Sequence, residues 1–143
     1  MSGCIFCDIV AGKLPANIIH QDDVCAAFMD IQPVNPGHML VIPKKHASFL
    51  QDMDGETGAH LFRIAQRLAS ALRKSGLKCE GVNFFLADGE AAMQEVFHVH
   101  LHVFPRYKGD GFGLKFSEAY HTKPARTEIE SAARAIKSCF VND

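Results

Sequence analysis

Five residues, His98-Val99-His100-Leu101-His102, constrain this chain more than any others. Side chains on a β-strand alternate between faces with a period of two. A strand over 96–104 therefore projects all three imidazoles from one face and Phe97, Val99, Leu101 and Val103 from the other. The apolar face belongs in a core. The histidine face gains nothing from burial unless each ring nitrogen finds a partner. The pattern predicts a half-buried strand that carries either a metal site or a catalytic row.

The remaining periodicity predicts an α+β fold. Residues 5–11 read as a short N-terminal helix, and 17–21, 24–30 and 38–43 as strands. Asp22-Asp23 marks a turn between the first two strands, and Pro33, Asn35, Pro36 and Gly37 mark a loop before the third. Residues 55–75 read as one long helix, with Asp54 as N-cap and Gly76 as the stop. Its expected apolar stripe is Leu61, Phe62, Ala65, Leu68, Ala69 and Leu72. Residues 81–87 form another strand, placed as an antiparallel neighbour of the histidine strand. Residues 124–140 form a C-terminal helix, with Ile129, Ala132, Ala133, Ile136 and Phe140 on one face. Strands arriving mainly in consecutive pairs predict an antiparallel sheet of about five strands. A chain of 143 residues fits one domain over 1–143, with 107–143 a glycine-bearing loop and helical extension.

Composition excludes several classes. Fifteen Lys and Arg balance sixteen Asp and Glu, so no basic excess suggests nucleic acid as a partner. No apolar run approaches the ~20 residues of a membrane span. The N-terminus lacks a basic segment followed by a long apolar stretch, so no secretory signal is expected. Five cysteines, an odd number, then suggest reduced thiols and a cytoplasmic setting.

Two chemistries suit the histidine row. Zinc could use the imidazoles and activate a water. However, residues two and four apart on a strand are ~6.5 and ~13 Å apart, too far for the outer pair to share one ion easily. That spacing favours one central nucleophile, His100, flanked by two supporting histidines. Cys4-x-x-Cys7 separately has the spacing of half a zinc site.

The run from Asp88 to Arg106 (DGEAAMQEVFHVHLHVFPR) resembles the signature of the histidine triad family of nucleotide hydrolases and transferases. Ile5-Phe6, Asp30 with Pro33 to His38, and Ile42 to His46 (IPKKH) resemble further family segments in the expected order. The resemblance implies an α+β homodimer that hydrolyses dinucleoside polyphosphates or nucleoside phosphoramidates at the α-phosphorus. The alternative is a nucleotide-binding regulatory module with incidental turnover. It implies His100 as the residue that takes the nucleotidyl group, with His102, His98 and His38 around it. Asp30 would hold the ribose hydroxyls, Gln94 would touch phosphate, and Ile5, Phe6, Ile9, Phe28 and Ile31 would line the base slot. The 88–94 loop would offer backbone N–H groups to the phosphates. Some bacterial-type members pair an N-terminal CxxC with two histidines, which matches Cys4, Cys7, His46 and His98 here as ligands of a structural zinc. Read from the residues alone, the apolar set could equally be core, Asp30 a loop cap and His38 a strand-edge residue. Two positions depart from the family pattern: Met93 stands where glycine is common, and Glu95 where serine or threonine is common.

Overall fold

The computed structural model describes residues 3–140. Two compact units divide after Gly111.

The first unit contains a five-stranded antiparallel sheet in the order β1-β2-β3-β5-β4. The strands are β1 (Ile18–Gln21), β2 (Cys25–Met29), β3 (Met39–Pro43), β4 (Gly81–Phe85) and β5 (Leu101–Arg106). A short helix α1 (Ile5–Val10) precedes them, and the long helix α2 (Gly55–Lys74) lies between β3 and β4 in sequence. Alternation on the strands divides the core into two layers. Cys25 and Ala27 of β2, Met39 and Val41 of β3, and Val99, Leu101 and Val103 face Leu61, Ile64, Ala65, Leu68, Ala69 and Leu72 of α2. Each fully buried leucine there stabilises the fold by about 1.5–3 kcal/mol. The opposite face packs Ala26, Phe28, Leu40 and Ile42 against Phe6 of α1.

The N-terminus of α2 forms as its sequence predicts. The Asp54 carboxylate accepts from the Thr57 N–H at 2.8 Å and from the Thr57 hydroxyl at 2.8 Å. The stripe is corrected at one position. Phe62 is 56 % exposed and lies 5.8 Å from Phe84, whereas Ile64 takes the buried position. Ile64 lies three residues beyond Leu61 and four before Leu68, so helical spacing keeps all three on one face.

The histidine strand is also corrected. The ladder with β3 and β4 begins only at Leu101. Before it, the His98 N–H turns back to the Val96 carbonyl at 2.9 Å, and the Val99 N–H reaches the Ala47 carbonyl at 2.8 Å. This bend turns Phe97 outward against Phe49 instead of into the core. From Val99 onward the expected alternation holds.

Where the chain turns from β1 into β2, Asp22 forms a clasp. Its Oδ1 accepts the N–H groups of Val24 and Cys25 at 2.8 Å each. Its Oδ2 accepts from His20 Nε2 and from His60 Nε2 of α2, again at 2.8 Å each. Burial opposes ionisation of this carboxyl, but those hydrogen bonds outweigh it and hold the group well below the usual carboxylate range.

The second unit holds a short 3-10 turn (Glu118–His121) and helix α3 (Arg126–Cys139). Ile129, Ile136 and Phe140 of its predicted apolar face are exposed. Among the described residues, no helix is long and apolar enough to cross a membrane.

Candidate active site and metal centre

His38 reaches its place through the Pro36-Gly37 turn. Gly37 has φ +107°, and a Cβ there would lie 2.9 Å from a methyl of Leu72. Left-handed backbone and close packing both require glycine. Beside it, the buried Asn35 donates its amide to the Pro105 carbonyl and to Asp110, at 2.9 Å each. These bonds tie the loop to the far end of β5.

Hydrogen bonding fixes where the protons sit on three imidazoles. The Val34 N–H, which can only donate, points at His38 Nδ1 at 3.0 Å. That nitrogen must carry a lone pair, so neutral His38 is protonated on Nε2. His38 Nε2–H then donates to His102 Nδ1 at 2.8 Å. Neutral His102 in turn carries its proton on Nε2, as a donor. His100 Nδ1 lies 2.7 Å from the carbonyl of His98 and donates to it. This leaves His100 Nε2 with an available lone pair. Phe6 packs its ring edge-on to His100, with centroids 5.2 Å apart.

The electrostatics favour the neutral forms of His102 and His38. Burial, helped by His100 and His38 and opposed by Asp30, lowers His102 to about 4. Burial also lowers His38, again opposed by Asp30. Asp30 Oδ2 stands 3.5 Å from His38 Nε2 and 3.9 Å from His102 Nδ1. Its Oδ1 accepts the Gln32 N–H at 2.8 Å.

His98 belongs to a different cluster. Its ring is fully buried, and Nε2 donates to the Pro43 carbonyl at 2.8 Å. Its Nδ1 lone pair therefore faces Cys4 Sγ at 3.4 Å and Cys7 Sγ at 3.6 Å. His46 Nδ1 lies 3.3 Å from Cys7 Sγ, and its Nε2 is held by the Ser48 hydroxyl at 3.2 Å. All four potential ligand atoms lie within 4.8 Å of one another. Tetrahedral zinc with ordinary Zn–S and Zn–N lengths puts neighbouring ligand atoms about 3.6 Å apart. The Cys4, Cys7, His46 and His98 set fits that ion, and both imidazoles have the second hydrogen bond that orients a ligand. Burial also lowers His98, which favours the neutral form a metal ligand needs.

The other sequence-predicted residues separate. Phe6 and Phe28 are buried in the second core layer, and Ile9 packs beside them. Ile5 is exposed, and Ile31 is 94 % exposed. Gln94 is held inside its own loop. Its carbonyl oxygen accepts the Gly89 N–H at 2.8 Å, and its amide donates to the carbonyls of Ser48 and Val96 at 2.7 and 3.1 Å. The side chain is buried and closes the 89–94 loop. The N–H groups of Ala92, Met93 and Gln94 donate to loop carbonyls. Met93 has φ 69° and is 71 % exposed. It thus occupies the left-handed region, which favours glycine. Glu95 is exposed.

An open depression lined by Glu80, Asn83, Arg106 and Lys108 lies at the opposite end of β5. It contains no histidine or cysteine, so the histidine row is the more reactive surface.

The HIT domain model matches residues 11–109. The chain belongs to the HIT family. An uncharacterised HIT-like protein of Mycobacterium tuberculosis is 45 % identical over 137 residues, covering 96 % of this chain and 92 % of that one. A crystal structure of a HIT-family member from Bacillus subtilis superposes with TM-score 0.86 at 35 % identity, covering 99 % and 100 % of the two chains. A zinc-bound histidine triad protein from Mycobacterium smegmatis is 40 % identical with TM-score 0.75, covering 96 % and 98 %.

The sequence alone did not reveal the groups that hold the row and the metal cluster: the Val34 N–H, the Ser48 hydroxyl, and the Pro43 and His98 carbonyls. Backbone groups carry no side-chain signal, and Ser48 has no motif spacing. Asn35, next to Pro36-Gly37-His38, was the one side chain a closer reading of the loop could have singled out.

Proposed function

We propose that this HIT-family protein hydrolyses nucleoside phosphate derivatives at the α-phosphorus through a nucleotidyl-His100 intermediate. The observation that carries this reading is the oriented row itself: Nδ1 of His100 is tied to the His98 carbonyl, and Nε2–H of His102 is set by His38.

In the first step the Nε2 lone pair of His100 forms a bond to phosphorus, and the bond from phosphorus to the leaving group breaks. His102 donates a hydrogen bond from its Nε2–H to the departing oxygen or nitrogen, which takes its proton from solvent. The positive charge that develops on the His100 ring is supported by its Nδ1–H bond to the His98 carbonyl. In the second step water attacks phosphorus, the P–N bond breaks with its electron pair returning to His100 Nε2, and the water proton is released to solvent. The products are a nucleoside monophosphate and the free leaving group. Asp30 Oδ2 accepts from the ribose hydroxyls, and the apolar lip of Ile5, Ile9 and Ile31, backed by Phe6 and Phe28, receives the base. Dinucleoside polyphosphates and nucleoside phosphoramidates are the substrate classes.

A zinc ion on Cys4, Cys7, His46 and His98 would supply a tetrahedral crosslink and no chemistry at phosphorus. The free thiols fit a reducing, cytoplasmic setting. The unpaired edge of β4, with Phe62 and Phe84 exposed beside it, fits a homodimer.

Rapid mixing with an adenosine phosphoramidate, followed by an acid-free quench, tests the reading. Adenylate bound covalently to wild-type protein and missing from His100→Ala is the expected result. Full turnover of both substrate classes by His100→Ala overturns it.

A further inference from the structure

Outside the histidine row, one cluster brings metal-ligating side chains from three parts of the fold to one point. His20 is on β1, Asp22 begins the turn to β2, and His60 is on the first turns of α2. Both imidazoles direct Nε2 at the same carboxylate oxygen, Asp22 Oδ2, at 2.8 Å. The ligand atoms of His20, Asp22 and Cys25 all lie within 4.8 Å of one another. Cys25 is buried beneath the cluster, with its thiol 3.6 Å from Asp22 Oδ2. Side chains of His20, Asp22 and His60 are 31 %, 28 % and 25 % exposed, so ions from solvent reach them while the backbone holds them in place.

A turn needs only the Asp22 Oδ1 bonds to the Val24 and Cys25 N–H groups. The second oxygen and the two imidazoles add a convergent N, N, O donor set that the turn does not require. Two histidines and a carboxylate, with other positions left to water, suit borderline divalent ions of the zinc and nickel type. Donor atoms around an octahedral ion with bonds of about 2.1 Å lie about 3.0 Å apart, and around a tetrahedral one about 3.4 Å. The 2.8 Å contacts are within a few tenths of an ångström of the first value. To ligate, each ring moves its proton to Nδ1 and offers the Nε2 lone pair, with no net change in charge.

We propose that His20, Asp22 and His60 form a second metal site, a surface site for a borderline divalent cation, separate from the Cys4, Cys7, His46 and His98 cluster. The site clamps the β1–β2 turn to α2, so metal binding there stabilises the fold without touching the histidine row.

Metal uptake measures this directly. Equilibrium dialysis of the full chain against micromolar zinc, followed by elemental analysis, is expected to give two zinc ions per chain. His60→Gln and His20→Gln, on separate elements, are each expected to give one. Glutamine keeps an N–H that can donate to Asp22 but is a far poorer ligand, so the metal-free variants should melt within a few degrees of wild type. Nickel alone should raise the melting temperature of wild type by several degrees more than that of either variant. Equal zinc uptake by wild type and both variants, or a nickel shift as large in both variants as in wild type, overturns the proposal. In that case Asp22 serves only as a hydrogen-bonded clasp.

Discussion

Two places in this molecule combine a pair of histidines with one aspartate, and they are built in opposite ways. At the β1–β2 turn the carboxylate stands between the rings: Asp22 Oδ2 takes both imidazoles at 2.8 Å. In the histidine row the rings bond directly, His38 to His102 at 2.8 Å, and the Asp30 oxygen stands off at 3.5 and 3.9 Å. The first arrangement converges on one point and opens to solvent, so it suits a cation. The second is a chain with a direction, set by an N–H that cannot accept, and it leaves one N–H aimed outward at its end. Identical residue types therefore say little about chemistry until it is known which group lies in the middle.

The largest effect should come from removing the atom that the directed chain serves. His100→Ala is expected to lower kcat about 10⁴-fold or more toward phosphoramidate, as read by product release, because a lost nucleophile is not replaced by the groups around it. Loss of only a fewfold would detach the chain from catalysis. His38→Asn should cost about 10²-fold in kcat, because His102 loses the donor that keeps its Nε2–H aimed at the leaving group, and should distort the acid limb of the pH–rate profile. His60→Gln should leave kcat unchanged. Equal kinetic losses in the two variants would erase the distinction between the arrangements.

Stability separates them in the other direction. Asp22→Asn removes the charge that holds two imidazoles and should destabilise the fold by about 1–3 kcal/mol, read from denaturant melts. Acid should act mainly on the row. A histidine held below its ordinary value in the folded state is protonated first in the unfolded state as pH falls. For His102 the stabilisation is thus fully present above its ordinary value of 6.5 and is lost as pH falls through about 4. His38 and His98 shift in the same direction. The melting temperature of wild type should fall between pH 6.5 and 4 more steeply than that of His102→Asn. The smallest effect is expected at Met93. Replacing it with glycine relieves a left-handed side chain but frees the unfolded chain, and a gain of no more than about 1 kcal/mol should remain.

The elements were largely legible in the sequence because they follow local rules. A compact apolar run marked β3, the Asp22-Asp23 turn separated β1 from β2, the Asp54 cap marked the start of α2, and the order of strands suggested an antiparallel sheet. The errors arose where distant groups intervened. Phe97 faces solvent because the Val99 N–H is taken by Ala47, some fifty residues earlier in the chain. The bonds that Gln94 makes to Ser48 and Gly89 were not foreseen either. The Asp22 clasp was invisible because His60 joins it from a helix 38 residues away. In the candidate site, side chains were legible by type and spacing. The backbone groups that decide which nitrogen carries each proton were not.

His98 serves two masters with different atoms of one residue. Its ring answers to the sulfurs of the N-terminal helix, while its peptide oxygen answers to the neighbouring imidazole. Damage to the cysteine pair, such as oxidation to a disulfide, is thereby transmitted through a single rigid residue to the ring that meets phosphorus. The two clusters are mechanically one part, and neither can be redesigned without refitting the other.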